Sequence, residues 1–169
     1  MKHFLVVVDM QKDFVDGALG TKEAVAIVPA VVQKIRDFDG EIIVTLDTHF
    51  ENYMQTNEGL HLPVPHCIRG TEGWGLDSKV LSALEGKCYT VVEKPTFGSV
   101  ELPNVIAGKA EEENFTIELI GLCTDICVVS NALMLKAYFP GNEIFVDKAC
   151  CAGVTPESHE AALCTMGFC

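Results

Sequence analysis

The sequence predicts an α/β fold with a mostly parallel central sheet. Short apolar runs alternate along the chain with longer stretches of helical spacing. Each run is continuous in apolar residues, which is typical of strands buried on both faces of a parallel sheet. The predicted order is strand, helix, strand, loop, strand, strand, helix, strand and helix, as expected of an α/β fold. The predicted strands cover residues 4–8, 41–46, 88–92, 115–120 and 143–146.

The predicted helices differ in character. Pro29 lies within the first helical stretch and either begins the helix proper or kinks it. Residues 126–139 are apolar on nearly all sides, which predicts a deeply buried helix. The last helix covers residues 157–166, with Thr155 as its N-cap and Pro156 at its first position. The apolar face of the first helix consists of Val25, Val28, Val32, Ile35 and Phe38.

Residues 48–75 have no clear periodicity and are rich in Gly, Pro, His and Asn. A loop of this length inside a compact domain is usually functional. The chain of 169 residues is long enough to bury a hydrophobic core and short enough for one unit. We therefore expect a single domain over residues 1–169.

Composition narrows the classes of partner. The formal net charge is −12, so the chain repels phosphate backbones and anionic lipids, which argues against nucleic acid and membrane surfaces. No apolar run approaches the ~18 residues of a membrane span. The eight cysteines include no C-x-x-C pair, and the start of the chain is not typical of a secretion signal. We expect a cytoplasmic protein with mostly reduced cysteines.

Polar side chains follow the predicted strands where each strand ends. Asp9, Asp47 and Lys94 come after the first three strands, and residues 121–127 come after the fourth. Since ligands of parallel sheets bind beyond the carboxyl ends of the strands, we expect these residues to meet at one edge. Each residue taken alone is as well explained by a solvated surface position. The prediction of a site depends on their convergence.

Cys127 is the candidate nucleophile at this edge. If Thr124 caps the following helix, Cys127 lies in its first turn. The backbone N–H groups and the helix dipole there favour a thiolate, and they also favour an oxyanion. The alternative is an inert buried cysteine, which is the commoner role of this residue type.

A candidate metal site lies in the long loop. Asp47 and His49 are close in sequence at a strand end, and His66 follows later. One carboxylate and two imidazoles are a usual ligand set for Zn²⁺ or Fe²⁺ with open coordination positions. Spacing alone leaves a chance combination open, since Asp-x-His is common. Glu58 is a further candidate ligand, although a solvated charge is its more usual role. The histidines expected at the surface are His3, His61 and His159.

Five ordered segments resemble the isochorismatase-like cysteine hydrolases and, within that family, the nicotinamidases. They spread over nearly the whole chain and occur in the order found in the family. The segments are VDMQKDF at 8–14, DTH at 47–49, HCIRGTEG at 66–73, EK at 93–94 and GLCTDICV at 121–128.

The resemblance implies a three-layer α/β/α fold. It also implies a catalytic triad of Asp9, Lys94 and Cys127. A cis peptide bond between Leu122 and Cys123 is implied as well. That bond would turn the N–H of Cys123 towards an oxyanion, beside the N–H of Cys127.

The nicotinamidase branch binds a metal through positions matching Asp47, His49 and His66, so the resemblance implies a divalent cation, Zn²⁺ or Fe²⁺/Mn²⁺. Phe14 is a candidate wall of the substrate pocket, with ordinary core packing as its alternative. The implied activity is release of ammonia from a small carboxamide such as nicotinamide, through a thioester on Cys127. A homo-oligomer is also expected.

Three departures loosen the prediction of the substrate. Nicotinamidases often carry a Trp three residues before the second metal His, where this chain has Pro63, and Trp74 follows that His instead. The loop over residues 50–62 is of a short type. A further strand usually follows the last helix, and we expect it to be missing. Two alternatives stay open: an isochorismatase-like hydrolase acting on another small substrate, and a non-catalytic metal-binding or redox protein.

Overall fold

A parallel sheet of five strands forms the centre of the computed structural model, which describes residues 1–169. The strands are β1 (Lys2–Val8), β2 (Glu41–Asp47), β3 (Tyr89–Lys94), β4 (Phe115–Leu122) and β5 (Glu143–Ala152). Their spatial order is β3-β2-β1-β4-β5, and every neighbouring pair is parallel. β1 is therefore the middle strand, and its carboxyl end lies between those of β2 and β4.

Helices cover both faces of this sheet. They are α1 (Lys12–Val15), α2 (Lys22–Asp37), α3 (Asn57–His61), α4 (Ser78–Leu84), α5 (Leu102–Ala110), α6 (Val129–Tyr138) and α7 (Pro156–Met166). A 3₁₀ turn at Tyr53–Gln55 precedes α3, and a π-helical turn at Thr124–Val128 precedes α6. None of the helices is both long and apolar enough to span a membrane.

Two hydrophobic clusters, one on each face of the sheet, explain why the strands are continuously apolar. Leu5 and Val7 of β1 pack in one cluster with residues of α2 and α4. Phe4 and Val6 point to the opposite face and pack with residues of α5 and α6. Each fully buried aliphatic side chain contributes about 1.5–3 kcal/mol. The molecule has three layers, α/β/α, and the predicted fold class is confirmed.

Helix starts follow local sequence signals. α2 begins where the Thr21 hydroxyl accepts a hydrogen bond from the Ala24 N–H. Pro29 consequently lies inside this helix and does not begin it. α7 begins at Pro156 behind the predicted cap, Thr155, which forms a capping box.

Some elements differ from the predicted ones. The predicted order of elements lacks α1, α3, α4 and α5. These helices have nine residues or fewer, which is shorter than the window over which a helical period is recognised. α6 is not deeply buried, since Leu133 and Tyr138 are 38% and 56% exposed. The helix lies in an outer layer and turns one side away from the sheet. β3 is an edge strand that exposes Tyr89 and Val91, so burial on both faces holds for the inner strands only.

Gly121 in β4 provides a test of strand packing. Its φ of +115° is rare for L-residues, and an added Cβ would overlap with the Val8 carbonyl oxygen of β1. Gly121→Ala should therefore lower the free energy of unfolding, measured by urea denaturation, by about 3 kcal/mol.

Gly108→Ala in α5 is the matched control, because a Cβ at Gly108 would meet no atom within 4 Å. Alanine there should raise the free energy of unfolding by about 0.5–1 kcal/mol. Similar effects of the two substitutions would contradict this account of the sheet.

Candidate active site

Asp9 is held rigidly just beyond the end of β1, where it is fully buried. Its backbone N–H donates to the carbonyl and hydroxyl oxygens of Thr45 on β2, at 3.2 Å each. The Thr45 hydroxyl donates in turn to Asp9 Oδ1 at 2.6 Å. One carboxylate oxygen is thus satisfied by the neighbouring strand, which leaves Oδ2 for other partners.

Lys94 contacts this second oxygen and also contacts Cys127. Lys94 ends β3 and is 1% exposed, and its Nζ lies 2.7 Å from Asp9 Oδ2. The same Nζ donates to the Thr96 carbonyl at 3.0 Å and to Cys127 Sγ at 3.5 Å. The contact with Oδ2 is a buried ion pair, and a carboxylate oxygen has two lone pairs, of which the lysine occupies one. Oδ2 therefore keeps the capacity to accept a proton.

Cys127 lies in the π-helical turn and not in the first turn of an α-helix as predicted. Thr124 does not cap this turn, because its hydroxyl hydrogen-bonds to His159 Nδ1 of α7 at 2.8 Å. His159, which we expected at the surface, is partly buried and helps to hold the segment that carries the candidate nucleophile. π-helical turns occur often at functional sites.

Burial determines the protonation of the three groups. It raises the pKa of the Cys127 thiol well above its usual value, and the charge of Asp9 raises it further. Burial also raises the pKa of Asp9, against the opposing effect of Lys94. Burial disfavours the charge on Lys94, but the charges of Asp9 and Asp47 oppose this, and the pKa of the lysine is raised. These directions favour a thiol over a thiolate at Cys127 in the resting site, against the expectation from its position.

The three predicted metal ligands form a second cluster beside the first. Asp47, His49 and His66 are all buried, and their candidate ligand atoms lie within 4.8 Å of one another. Asp47 Oδ2 is 2.9 Å from His49 Nε2 and 3.5 Å from His66 Nε2. His66 Nδ1 donates to the Val64 carbonyl at 2.8 Å, so the lone pair of Nε2 points into the cluster.

Glu58 of α3 joins this cluster. Its Oε1 is buried without a hydrogen-bond partner and lies 3.5 Å from His49 Nε2 and 3.8 Å from His66 Nε2. The expectation of a solvated charge is wrong, because the helix turns this side chain inwards. A buried carboxylate oxygen without a donor is costly unless a positive charge neutralises it. Two carboxylates and two imidazoles around one space fit a divalent cation such as Zn²⁺, Fe²⁺ or Mn²⁺.

Gln11 and Asp13, which follow β1, hold the two chain segments that carry the metal ligands. The Gln11 amide accepts from the Asp47 N–H and donates to the Asp47 carbonyl, at 2.8 Å each. Asp13 Oδ2 accepts from the Cys67 N–H at 2.8 Å, directly after His66. Sequence reasoning missed these roles because the partners are distant along the chain. The only signal was that both residues belong to a segment resembling the family.

A candidate substrate pocket with a volume of about 290 Å³ lies between the two clusters. Cys127 of the first cluster and Asp47 and His66 of the second all line it. The lining contains neither lysine nor arginine and is mostly apolar. Phe14 lies in the wall, as predicted. The apolar walls are Phe14, Leu19, Leu62, Phe97, Ile126 and Val154.

Residues 3–168 match the family described as Isochorismatase domain. The chain belongs to the isochorismatase family. A relative from Bacillus subtilis (strain 168), the uncharacterized isochorismatase family protein PncA, is 32% identical over 174 residues, which cover 96% of this chain and 93% of the relative. The peptide bond between Leu122 and Cys123 is cis, as the resemblance to this family implies.

Solved structures of the isochorismatase family have the same fold. The crystal structure of nicotinamidase/pyrazinamidase PncA from Bacillus subtilis is similar with a TM-score of 0.83 and 28% identity, over 99% of this chain and 97% of that one. The pyrazinamidase of Pyrococcus horikoshii in complex with zinc is similar with a TM-score of 0.83 and 27% identity, over 99% and 96%.

This member of the isochorismatase family departs from the nicotinamidase pattern at the pocket wall. Pro63, which stands at the Trp position of that pattern, does not line the pocket, and the adjacent Leu62 does. Trp74 does not compensate, because its indole N–H donates to the Thr48 hydroxyl at 3.0 Å and its ring lies outside the lining. The wall on this side is therefore aliphatic.

The buried charges of the site depend on Lys94. Lys94→Met leaves Asp9 buried without its cation, so the free energy of unfolding at neutral pH should fall by about 3–5 kcal/mol. The loss should shrink as the pH falls, because the raised pKa of Asp9 lets a proton remove the unpaired charge in the folded state. Urea denaturation at neutral and mildly acidic pH measures both effects.

Lys22→Met is the control for this substitution, since the Lys22 side chain is 91% exposed. Its effect should stay within about 0.5 kcal/mol at either pH. A loss for Lys94→Met that is small, or that grows as the pH falls, would contradict the assignment of this ion pair.

Proposed function

We propose that the chain is a cysteine-dependent amidohydrolase that releases ammonia from a small neutral carboxamide such as nicotinamide. The observation that carries this proposal is that buried Lys94 contacts both Asp9 and Cys127, and that Cys127 lines an apolar pocket. Similarity to nicotinamidase/pyrazinamidase structures over almost the whole chain supports it. The alternative of a non-catalytic metal or redox protein does not account for a buried acid and a buried thiol that share one buried cation.

The first half of the reaction begins with the resting thiol. Asp9 accepts the proton of Cys127 through Oδ2, and the sulfur attacks the amide carbonyl carbon. The carbonyl oxygen gains the negative charge, and the backbone N–H groups of Cys123 and Cys127 stabilise it. Asp9 then donates its proton to the departing nitrogen, so that ammonia leaves and an acyl thioester remains on Cys127.

The second half reverses the use of the same groups. Asp9, again a carboxylate, accepts a proton from water as the water oxygen attacks the thioester carbonyl. The thioester C–S bond breaks, the carboxylic acid product leaves, and Asp9 returns its proton to the Cys127 sulfur. Lys94 stays charged throughout and stabilises whichever of Asp9 and Cys127 carries the negative charge.

Asp47, His49, His66 and Glu58 would hold a divalent cation at the side of the pocket. When bound, such an ion supplies a coordination position for a ring nitrogen of the substrate, which orients the carboxamide. Gln11 holds the backbone of Asp47 by two hydrogen bonds, which fixes this ligand relative to the pocket that Cys127 lines.

The pocket favours an uncharged substrate. Its lining offers no lysine or arginine to pair with a carboxylate, and transfer of an unpaired carboxylate into an apolar site is costly. A volume of about 290 Å³ is at the small end for ligand pockets, which suits one ring with a carboxamide. The aliphatic wall at Leu62 leaves the choice between nicotinamide and related amides to experiment.

Replacement of the nucleophile tests the proposal directly. Cys127→Ala should reduce ammonia release from nicotinamide and pyrazinamide by about 10³-fold or more, because no thioester can form. Cys151→Ala is the control, since this cysteine is also buried but lies in β5 outside the pocket. It should retain most of the activity. Activity that survives in the Cys127 variant would rule out the thiol mechanism.

The pH dependence of kcat/KM should report on Asp9. Burial raises the pKa of this carboxyl above 3.8, the ordinary value for aspartate. As the pH falls, Asp9 should therefore become protonated, and the activity should be lost, at a pH higher than 3.8. The hydrogen bond from Thr45 lowers that pKa, so Thr45→Val should move the acid limb to higher pH. A limb that stays in place or moves down would show that another group limits the rate.

A further inference from the structure

A second cavity adjoins the metal cluster beside the substrate pocket. Its volume is about 770 Å³, and the mechanism makes no use of it. Buried His49 and partly buried Glu58 lie among its lining, together with exposed residues of the loop that surrounds α3. The exposed polar residues of the lining are Asn52, Asn57, His61 and Thr96.

The two cavities approach the metal cluster from different sides. Asp47 and His66 line the substrate pocket but not the second cavity, whereas His49 lines the second cavity but not the pocket. Glu58, Leu62 and Phe97 line both, so they belong to the wall between the two spaces. An ion between the four ligands would therefore be reachable from either side.

His61, an exposed residue of the second cavity, has a free ring nitrogen that can bind a cation. Its Nδ1 lies 2.7 Å from the Asn57 carbonyl oxygen, which can only accept a hydrogen bond. Nδ1 therefore carries the proton of the neutral imidazole, and Nε2 keeps its lone pair. Neutral imidazole is the commonest ligand for Zn²⁺ and related ions. His61 lies one helical turn from Glu58 on α3, so the two side chains line the cavity from its outer to its inner end.

The two cavities offer very different conditions to a hydrated ion. Leu62 and Phe97 line both cavities and do not distinguish them. The rest of the substrate pocket is mostly apolar, and side chains such as Phe14 and Ile126 replace none of the water ligands of an ion. Most residues of the second cavity are polar: amide, hydroxyl and imidazole groups lie beside the apolar Phe50 and Pro95, and Glu58 adds a carboxylate. Stepwise exchange of water for these groups makes the passage of a dication less costly.

We infer that the second cavity is the route by which the metal ion reaches and leaves its site, with His61 as the first ligand to capture it. Glu58 and His49 then take over the ion from the inner end of the cavity. The inference rests on the metal site of the proposed function. It also has a consequence of its own: the bound ion should exchange with ions in solution even while substrate occupies the pocket.

The experiment follows Zn²⁺ uptake by metal-free full-length protein, and Zn²⁺ release, with a fluorescent zinc indicator in a stopped-flow instrument. Asn57→Trp narrows the second cavity, and Val154→Trp narrows the substrate pocket. Asn57→Trp should slow uptake and release equally, by about tenfold, and leave Kd and the turnover of zinc-loaded enzyme unchanged. Val154→Trp should raise the KM for nicotinamide by about tenfold and leave both metal rates unchanged. The opposite pattern, or metal rates unaffected by both substitutions, would overturn the inference.

His61→Ala tests the capture step without added bulk. It should slow Zn²⁺ uptake at low zinc by about threefold or more, while the control His3→Ala should not, because His3 is exposed on β1 and does not line the cavity. Equal rates for the two variants would contradict the role of His61.

Glu58→Gln separates this inference from the proposed function. If wild-type protein and the Glu58 variant bind Zn²⁺ equally weakly, the metal site itself is wrong. If only the rates of the cavity variants fail to change, the site stands and the route is wrong.

Discussion

The buried ion pair between Asp9 and Lys94 is the constraint on which the rest of the site depends. The two residues lie at the ends of β1 and β3, so the pair spans the carboxyl end of β2 between them. Two charges persist in a dry interior only where each is fully compensated. Thr45 of β2 satisfies the other oxygen of Asp9, and the Thr96 carbonyl accepts from the lysine. The edge of the sheet is therefore fixed by charge as well as by backbone pairing.

Asp47 connects this pair to the metal cluster, because each of its oxygens faces a different partner. Oδ1 lies 3.4 Å from Lys94 Nζ, and Oδ2 lies 2.9 Å from His49 Nε2. Burial raises the pKa of Asp47, but hydrogen bonds from His49 and His66 and the charge of Lys94 outweigh it, so the pKa is lowered. The carboxylate stays ionised and serves both clusters. A change of charge in one cluster is consequently felt in the other.

The strands and the residues at their ends could be predicted because both signals are local. A continuous apolar run marks an inner strand, and parallel pairing brings its end to the same edge as those of its neighbours. Glu58 could not be assigned, because the helix that turns it inwards has five residues, too few to show a period. The hydrogen bond between Thr124 and His159 could not be predicted from the sequence either. Capping preferences state which side chains can cap a helix, and they do not show which partner lies closer in space.

The arrangement of one cation between two acids explains how a buried thiol can act as a nucleophile. Burial alone disfavours a thiolate and raises the pKa of the Cys127 thiol. Proton transfer to Asp9, however, does not create charge. Before transfer, Lys94 is paired with the Asp9 carboxylate at 2.7 Å, and afterwards it is paired with sulfur at 3.5 Å. The net charge of the three groups is the same in both states, so the penalty of burial falls on both and largely cancels in the difference between them. The lysine thus makes a deeply buried position compatible with nucleophilic chemistry, which the thiol and the carboxylate together could not do without it.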